Sequence, residues 1–176
     1  MFLDLFPTRI YLGKVFNYDE IQSDLSDVEA SIEWENLWDT HYISDKSFTE
    51  TIIPDSLGRE IADHIMNYAG RDDFCITASW MTRLEPGQYA IAHQHGHADM
   101  SGVYYYKTNG EEGNLYFMNP ALAATTSVWS QAENCHDIQP TQGSMLLFPG
   151  YLMHGIKTNT SDHDRLSLSF NIVFQR

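Results

Sequence analysis

Residues 164–174 read DRLSLSFNIVF, the segment from which the fold is most directly read. Leu166, Leu168, Phe170, Ile172 and Phe174 occupy one parity, while Arg165, Ser167, Ser169, Asn171 and Val173 occupy the other. Side chains of an extended chain alternate between faces, so this is a strand with an apolar face and a largely polar one. Working backwards, CITASWMTRL, YAIAHQHGHADM, SGVYYYKT, GNLYFMNP and GSMLLFP are further short runs rich in β-branched and aromatic residues. Turn signals at Glu85-Pro86-Gly87, Thr108-Asn109-Gly110 and Asn119-Pro120 separate them. Six or more such strands predict a sandwich or barrel, with strands mostly in residues 71–176.

The front of the chain has a different period. LFPTRIYLGKV reads as a first strand, and Ile21, Leu25, Val28, Ile32 and Leu37 then recur at helical spacing, predicting a helix over about 18–38. Pro54-Asp55-Ser56 opens a second helix over about 55–69, with Leu57, Ile61, Ile65 and Tyr68 as its apolar stripe and Gly70 as its stop. No repeat or linker interrupts the 176 residues, so one domain spanning 1–176 is expected.

Hydrophobic residues make up 43% and aromatic residues 13%, the composition of a folded globular chain. The 24 acidic and 10 basic side chains leave a net charge of −14, which argues against gripping phosphate backbones. That balance suits a soluble protein acting on a small or cationic substrate. No apolar run approaches the ~20 residues of a membrane span, and the start lacks the pattern of a secretory signal. A cytoplasmic protein without membrane or nucleic-acid partners is expected. Cys75 and Cys135 lack CxxC spacing and are read as buried reduced thiols. The sequon at Asn159-Thr160-Ser161 carries little weight without a secretory signal.

The chemistry concentrates in residues 91–101, IAHQHGHADMS. If this segment is extended, His93, His95, His97 and Asp99 all project to one side. Imidazole and carboxylate suit a divalent metal such as iron, zinc, nickel or manganese. With no cysteine nearby in sequence, the pattern favours an open site with two or three ligands from here and one from elsewhere, as in mononuclear iron(II) oxygenases. His154, after the run GSMLLFPGYLM, is the distant candidate. Eleven residues further on, Arg165 and Ser167 share one face and form a charged fork with a hydroxyl, suited to a terminal carboxylate. His136 and His163 read as surface histidines; Trp80, Trp129 and Phe148 read as core or rim aromatics.

Taken together, HxH or HxD, a far histidine and RxS about eleven residues on resemble the double-stranded β-helix oxygenases that use iron(II) and 2-oxoglutarate. A small bacterial and phage subfamily is closer still. Its wording is matched by LFPT at 5–8, Ser79-Trp80, HQH at 93–95, SGVYY at 101–105, LFPGYLMH at 147–154 and DRLSLSFN at 164–171. The resemblance implies a jelly-roll, cupin-like barrel with flanking helices. It also implies an iron(II)- and 2-oxoglutarate-dependent dioxygenase, consuming dioxygen and hydroxylating a small molecule or peptide side chain with release of succinate and CO2. His93, His95 and His154 are then the metal ligands, with Asp99 the first replacement. His97-x-Asp99 and a cupin-like His93, His95, Asp99 set are the other ligand sets. No catalytic group beyond the metal ligands is implied.

On the same resemblance Arg165 and Ser167 hold the distal carboxylate of 2-oxoglutarate. A tyrosine hydroxyl, at Tyr104 or Tyr106, is expected either to join them or to pack in the core, with Asn171 lining the pocket. The long loop within residues 121–142 is expected to cover the substrate. Cupin motifs are also matched by Gly87, His93, His95, Asp99, Gly143, Pro149 and His154, so the alternative is a cupin-type metal-binding protein that does not use 2-oxoglutarate. A monomer or a homodimer fits the sequence equally.

Overall fold

The computed structural model describes residues 7–45, 51–121, 126 and 133–175. Among the described residues eleven strands and two helices follow one another, and their strand pairings are antiparallel. Strands β1 (Tyr11–Lys14), β2 (Glu35–Leu37), β3 (His41–Ile43), β4 (Phe74–Leu84), β6 (Met100–Lys107), β9 (Ser144–Pro149) and β11 (Arg165–Phe174) form the larger sheet. Its spatial order is β1-β9-β6-β11-β4-β3-β2. The smaller sheet, β5-β10-β7-β8, is built from β5 (Ala90–His93), β7 (Leu115–Met118), β8 (Cys135–Ile138) and β10 (His154–Ile156). The two sheets are the halves of a jelly-roll barrel.

Alternation along β6, β9 and β11 sorts side chains between two cores. Tyr104, Tyr106, Met145, Leu147, Leu166, Leu168, Phe170 and Ile172 face α1 (Tyr18–Ser31) and α2 (Asp55–Ala69), where Ile21, Leu25, Leu57, Ile61 and Ile65 are fully buried. Val103, Tyr105, Leu146 and Phe148 take the opposite parity and pack with Leu115, Phe117 and Leu152 of the smaller sheet side. Burying an aliphatic side chain contributes about 1.5–3 kcal/mol, so the apolar stripe of α2 is a principal tie between helices and sheet. The helix closes on Gly70 in the left-handed conformation, φ 67°, as its sequence predicts.

The first helix is shorter than expected. It stops at Ser31, and Ile32 is already extended at φ −75°, ψ 128°. Leu37, which completes an apparent helical spacing, instead belongs to β2 and packs with Ile43, Ala78 and Trp80. The β2–β3 hairpin carries it onto the edge of the larger sheet, where pairing with β4 outweighs helical periodicity. The first strand likewise starts later, at Tyr11, and positions 5–6 lie outside the described residues.

Both cysteines are exposed, on β4 and β8, contrary to the expectation of buried thiols. Both occupy solvent-facing positions of their strands. Asn159 is fully buried, its amide donating to the carbonyls of Leu84 and His163, so the sequon is a structural turn. Among the described residues no helix is long and apolar enough to cross a membrane.

Candidate metal centre

β5 delivers His93, and its antiparallel partner in β10 is His154, the two residues facing one another across the ladder. β5 ends at His93, but His95 is still held in place because its amide donates to the carbonyl of Gly150 at 2.8 Å. Gly150 has no room for a side chain: a Cβ there would lie 2.2 Å from the carbonyl oxygen of Ala98. This close approach clamps the His-x-His segment against the turn after β9.

The three rings converge. Their centroids are 5.0 Å apart for His93 and His95, 4.5 Å for His93 and His154, and 5.1 Å for His95 and His154. One ring nitrogen from each falls within 4.8 Å of the others. Nδ1 of His93 bonds the carbonyl of Ile91 at 2.9 Å, and Nδ1 of His154 bonds that of Leu152 at 2.8 Å. With Nδ1 donating to a backbone carbonyl, Nε2 keeps its lone pair for a metal, so the carbonyl selects the ligating tautomer. Trp80 stacks on His95 and Phe148 meets His154 edge-on, fixing both rings. Burial, with a contribution from His93, lowers His154 to about 3 and His95 to about 4, so both imidazoles are neutral at physiological pH.

His97 and Asp99 do not join them. The chain turns at Gly96-His97, with the Ala98 amide donating to the His95 carbonyl at 2.9 Å, and every-second-residue projection ends there. Exposed His97 stands on the cavity wall. Asp99 is drawn to the end of β11, where its carboxylate accepts the Phe174 amide at 2.9 Å. Asp99, the expected replacement ligand, therefore stands apart from the ring cluster, and neither of the two ligand sets that contain it is brought together. The cluster is all imidazole.

A cavity of about 390 Å³ opens beside the histidines and is also lined by Arg165, Ser167, Ser169 and Asn171 from the polar face of β11. Among the described residues its wall contains no carboxylate. Arg165 is 1% exposed. Its Nη1 donates to the Gly113 carbonyl at 2.8 Å, whereas Nε and Nη2 are buried without a partner. The guanidinium lies 4.9 Å from the ring centre of Tyr105, whose hydroxyl is also buried and unpartnered. Unsatisfied buried donors are costly, and the free guanidinium nitrogens, on a cation that sits over the Tyr105 ring, are donors that a carboxylate satisfies. Burial lowers the pKa of Arg165, with Tyr105 and Glu112 opposing the shift. It pushes that of the Tyr105 hydroxyl up, so this group stays a donor.

Tyr105, not Tyr104, therefore keeps company with Arg165. Tyr104 points to the helices, where its hydroxyl accepts from Gln22 Nε2 at 3.3 Å, and Tyr106 packs in the same core. The alternation in SGVYYY is right, but only the folded barrel tells which parity faces inward. Asn171 does line the cavity, with Ser101 donating to its side-chain oxygen at 3.0 Å. Trp129 and most of the expected covering loop lie outside the described residues, and β8 occupies part of the remainder.

Sequence reasoning passed over the β2–β3 hairpin. Leu37, Trp38 and His41 line the cavity from this edge. Trp38 and Asp39 adopt φ of 53° and 56°, which few non-glycine residues do, and Trp38 is 63% exposed. His41 is buried, held by the Thr40 hydroxyl at 2.8 Å, and burial together with His93 lowers it to about 4. The usable signal was Asn36 and Asp39 around a tryptophan, since the Asn36 side chain accepts the Asp39 amide as turn residues do.

A family model described as “Putative 2OG-Fe(II) oxygenase” matches residues 78–171, more than half of the chain and the whole span from His93 to Asn171. The chain belongs to this family. Its cofactors are accordingly iron(II) and 2-oxoglutarate, with dioxygen, and the cupin-type alternative falls. No curated protein matches the chain in sequence. Among solved structures, the 2-oxoglutarate-dependent epimerase SnoN from nogalamycin biosynthesis superposes with a TM-score of 0.71 at 13% identity, covering 95% of this chain and 78% of that one. HygX from Streptomyces hygroscopicus, solved with nickel and 2-oxoglutarate, gives 0.66 at 15% identity over 94% and 82%. A Pseudomonas putida prolyl-4-hydroxylase gives 0.63 at 15% over 96% and 94%. At these identities the likeness is one of fold, the jelly-roll barrel of this oxygenase family.

Proposed function

We propose that His93, His95 and His154 hold the iron(II) of this oxygenase, and that Arg165, Ser167 and Tyr105 receive the distal carboxylate of 2-oxoglutarate. The observation that carries this reading is the pairing of an all-imidazole cluster with a buried guanidinium whose Nε and Nη2 have no partner in the same cavity. When bound, iron and 2-oxoglutarate supply dioxygen activation, with succinate and CO2 as co-products. The chain's own contribution is geometric and electrostatic. Backbone carbonyls of Ile91 and Leu152 orient two of the rings, Trp80 and Phe148 restrain two, and the buried fork fixes the co-substrate so that its 2-oxo acid end meets the metal.

The primary substrate in this reading is a small molecule or a peptide side chain that is hydroxylated at the cavity mouth. A wall of Thr77, Thr82, Gln94, Ser101 and Asn171, with no carboxylate among the described residues, favours an uncharged polar group over the cationic one the overall charge suggested. We further infer that residues 1–176 act as one domain, in the cytoplasm, as a monomer or homodimer, without nucleic-acid partners.

The test is anaerobic titration of the apoprotein with iron(II) and then 2-oxoglutarate, following the visible band of the chelate. The band should need both ligands and should fade on admitting oxygen as succinate forms. Arg165→Ala should keep iron binding and weaken 2-oxoglutarate by about a hundredfold, as expected when one partner of a buried charge pair worth ~3 kcal/mol is removed. Unchanged 2-oxoglutarate affinity in that variant would sink the assignment of the fork.

A further inference from the structure

Arg165 has one hydrogen bond that sets its orientation, from Nη1 to the carbonyl of Gly113. The turn that supplies this carbonyl is folded around a buried acid. Glu112 is 1% exposed, and its carboxylate accepts from the Thr108 hydroxyl, from the Asn109 amide at 2.7 Å and from the Gly110 amide at 3.1 Å. Burial alone would raise the pKa of this carboxyl, but these donors outweigh it and hold it below its usual range. Glu112 is therefore a carboxylate whose hydrogen bonds all go to the turn that precedes Gly113.

Gly113 is fixed on its other side too. It sits at φ +88°, and a Cβ would lie 2.2 Å from the Lys157 carbonyl oxygen, just beyond β10. The Lys157 amide donates to Asn114 at 2.9 Å, fastening the turn to the strand that begins with His154. Glu112 thus organises the turn at one end and β10 clamps it at the other, with the arginine-holding carbonyl between them.

We propose that Glu112 is a positioning residue for the co-substrate: by folding the 108–113 turn it holds the Gly113 carbonyl on Arg165 Nη1 and leaves Nε and Nη2 to a carboxylate in the cavity. This rests on the assignment of Arg165 made above. The role belongs to the distal carboxylate alone, because among the described residues the turn makes no hydrogen bond to the three histidines. A truncated 2-oxo acid is therefore indifferent to it.

The experiment uses full-length protein loaded with nickel(II), which is redox-inert here, and titrates 2-oxoglutarate and 2-oxobutanoate calorimetrically. 2-Oxobutanoate keeps the chelating end and lacks the distal carboxylate. Glu112→Ala is expected to weaken 2-oxoglutarate about tenfold, with affinities for 2-oxobutanoate and nickel unchanged. Glu112→Gln, which keeps the shape and one acceptor oxygen, is expected to recover to within about threefold of wild type. Should Glu112→Ala unfold the protein, Thr108→Val removes one of the three bonds to Glu112, along with the bond from the Gly110 amide to the Thr108 hydroxyl, and is expected to weaken 2-oxoglutarate alone by about threefold. Unchanged 2-oxoglutarate affinity, or an equal loss for both acids, overturns the proposal. Arg165→Ala distinguishes the two levels: if it keeps the preference for 2-oxoglutarate, the fork itself is misassigned. If it erases that preference while Glu112→Ala and Thr108→Val do not alter it, only the positioning role fails.

Discussion

At the scale of single residues, chemical type and position part company around the histidine cluster. His95 and Asp99 share a parity in sequence, yet only His95 reaches the ring cluster, while Asp99 caps the end of β11. Asp99→Ala should therefore leave nickel or iron affinity within about twofold of wild type, whereas His95→Ala should lower it by at least a hundredfold, read by calorimetry. Comparable losses in the two variants would return Asp99 to the ligand set. The tyrosines give a parallel contrast. Tyr105→Phe removes a buried hydroxyl beside Arg165 and is expected to weaken 2-oxoglutarate about three- to tenfold, the worth of ~1 kcal/mol. Tyr104→Phe, on the helix side, is expected to leave that affinity alone. Reversed outcomes would put the other parity of β6 into the cavity.

At the scale of elements, the histidine cluster depends on contacts between turns more than on any one strand. The turn after β9 and the segment after β5 meet at Gly150, where the Cβ of any other residue would strike the Ala98 carbonyl. Gly150→Ala should cost about 1–3 kcal/mol, as overpacking usually does, and should weaken metal binding by displacing His95. Chemical denaturation and metal titration of the same variant check both parts; loss of stability with full metal affinity would show that His95 is held by other means. On the far side of the larger sheet, Glu60 on α2 accepts the amides of Phe16 and Asn17, and Tyr11 bonds His64 at 2.9 Å. Glu60→Ala should release the segment after β1 from α2 and cost about 1–3 kcal/mol, leaving the cavity intact. A measured loss below ~0.5 kcal/mol would mean that β1–β9 pairing alone holds this segment.

At the scale of the whole molecule, burial of neutral histidines sets a pH limit. His154, His41 and His64 all have folded pKa values below 6.5, burial being the leading cause. Below pH 6.5 the unfolded chain binds protons that the folded chain refuses. Apoprotein stability should therefore be full above about pH 6.5 and fall with acidification towards pH 4, by up to ~1.4 kcal/mol per pH unit for each of His154 and His41, with His64 acting in the same direction. Denaturant midpoints between pH 7 and pH 4.5 measure this, and a flat profile would mean that these rings are solvated. Much of this architecture is legible in the amino-acid order. The alternation in RLSLSFNIVF and the stripe Leu57-Ile61-Ile65 are periodic, and local geometry suffices to interpret them, whereas the grouping of His93, His95, His154, Arg165 and Ser167 is read from a family resemblance. Other features depend on long-range pairing. The early end of the first helix, the exposure of Cys75 and Cys135, the inward parity of Tyr105 and the departure of Asp99 follow from sheet order and turn packing. The same holds for Trp38 and His41 at the cavity edge and for Glu112 behind Arg165. The sequence by itself determined which groups could do the chemistry, because periodicity is a property of the local backbone. Only the tertiary structure decided which of them meet, because a turn at residue 96 or a strand paired fifty residues away changes what a side chain faces without changing its spacing.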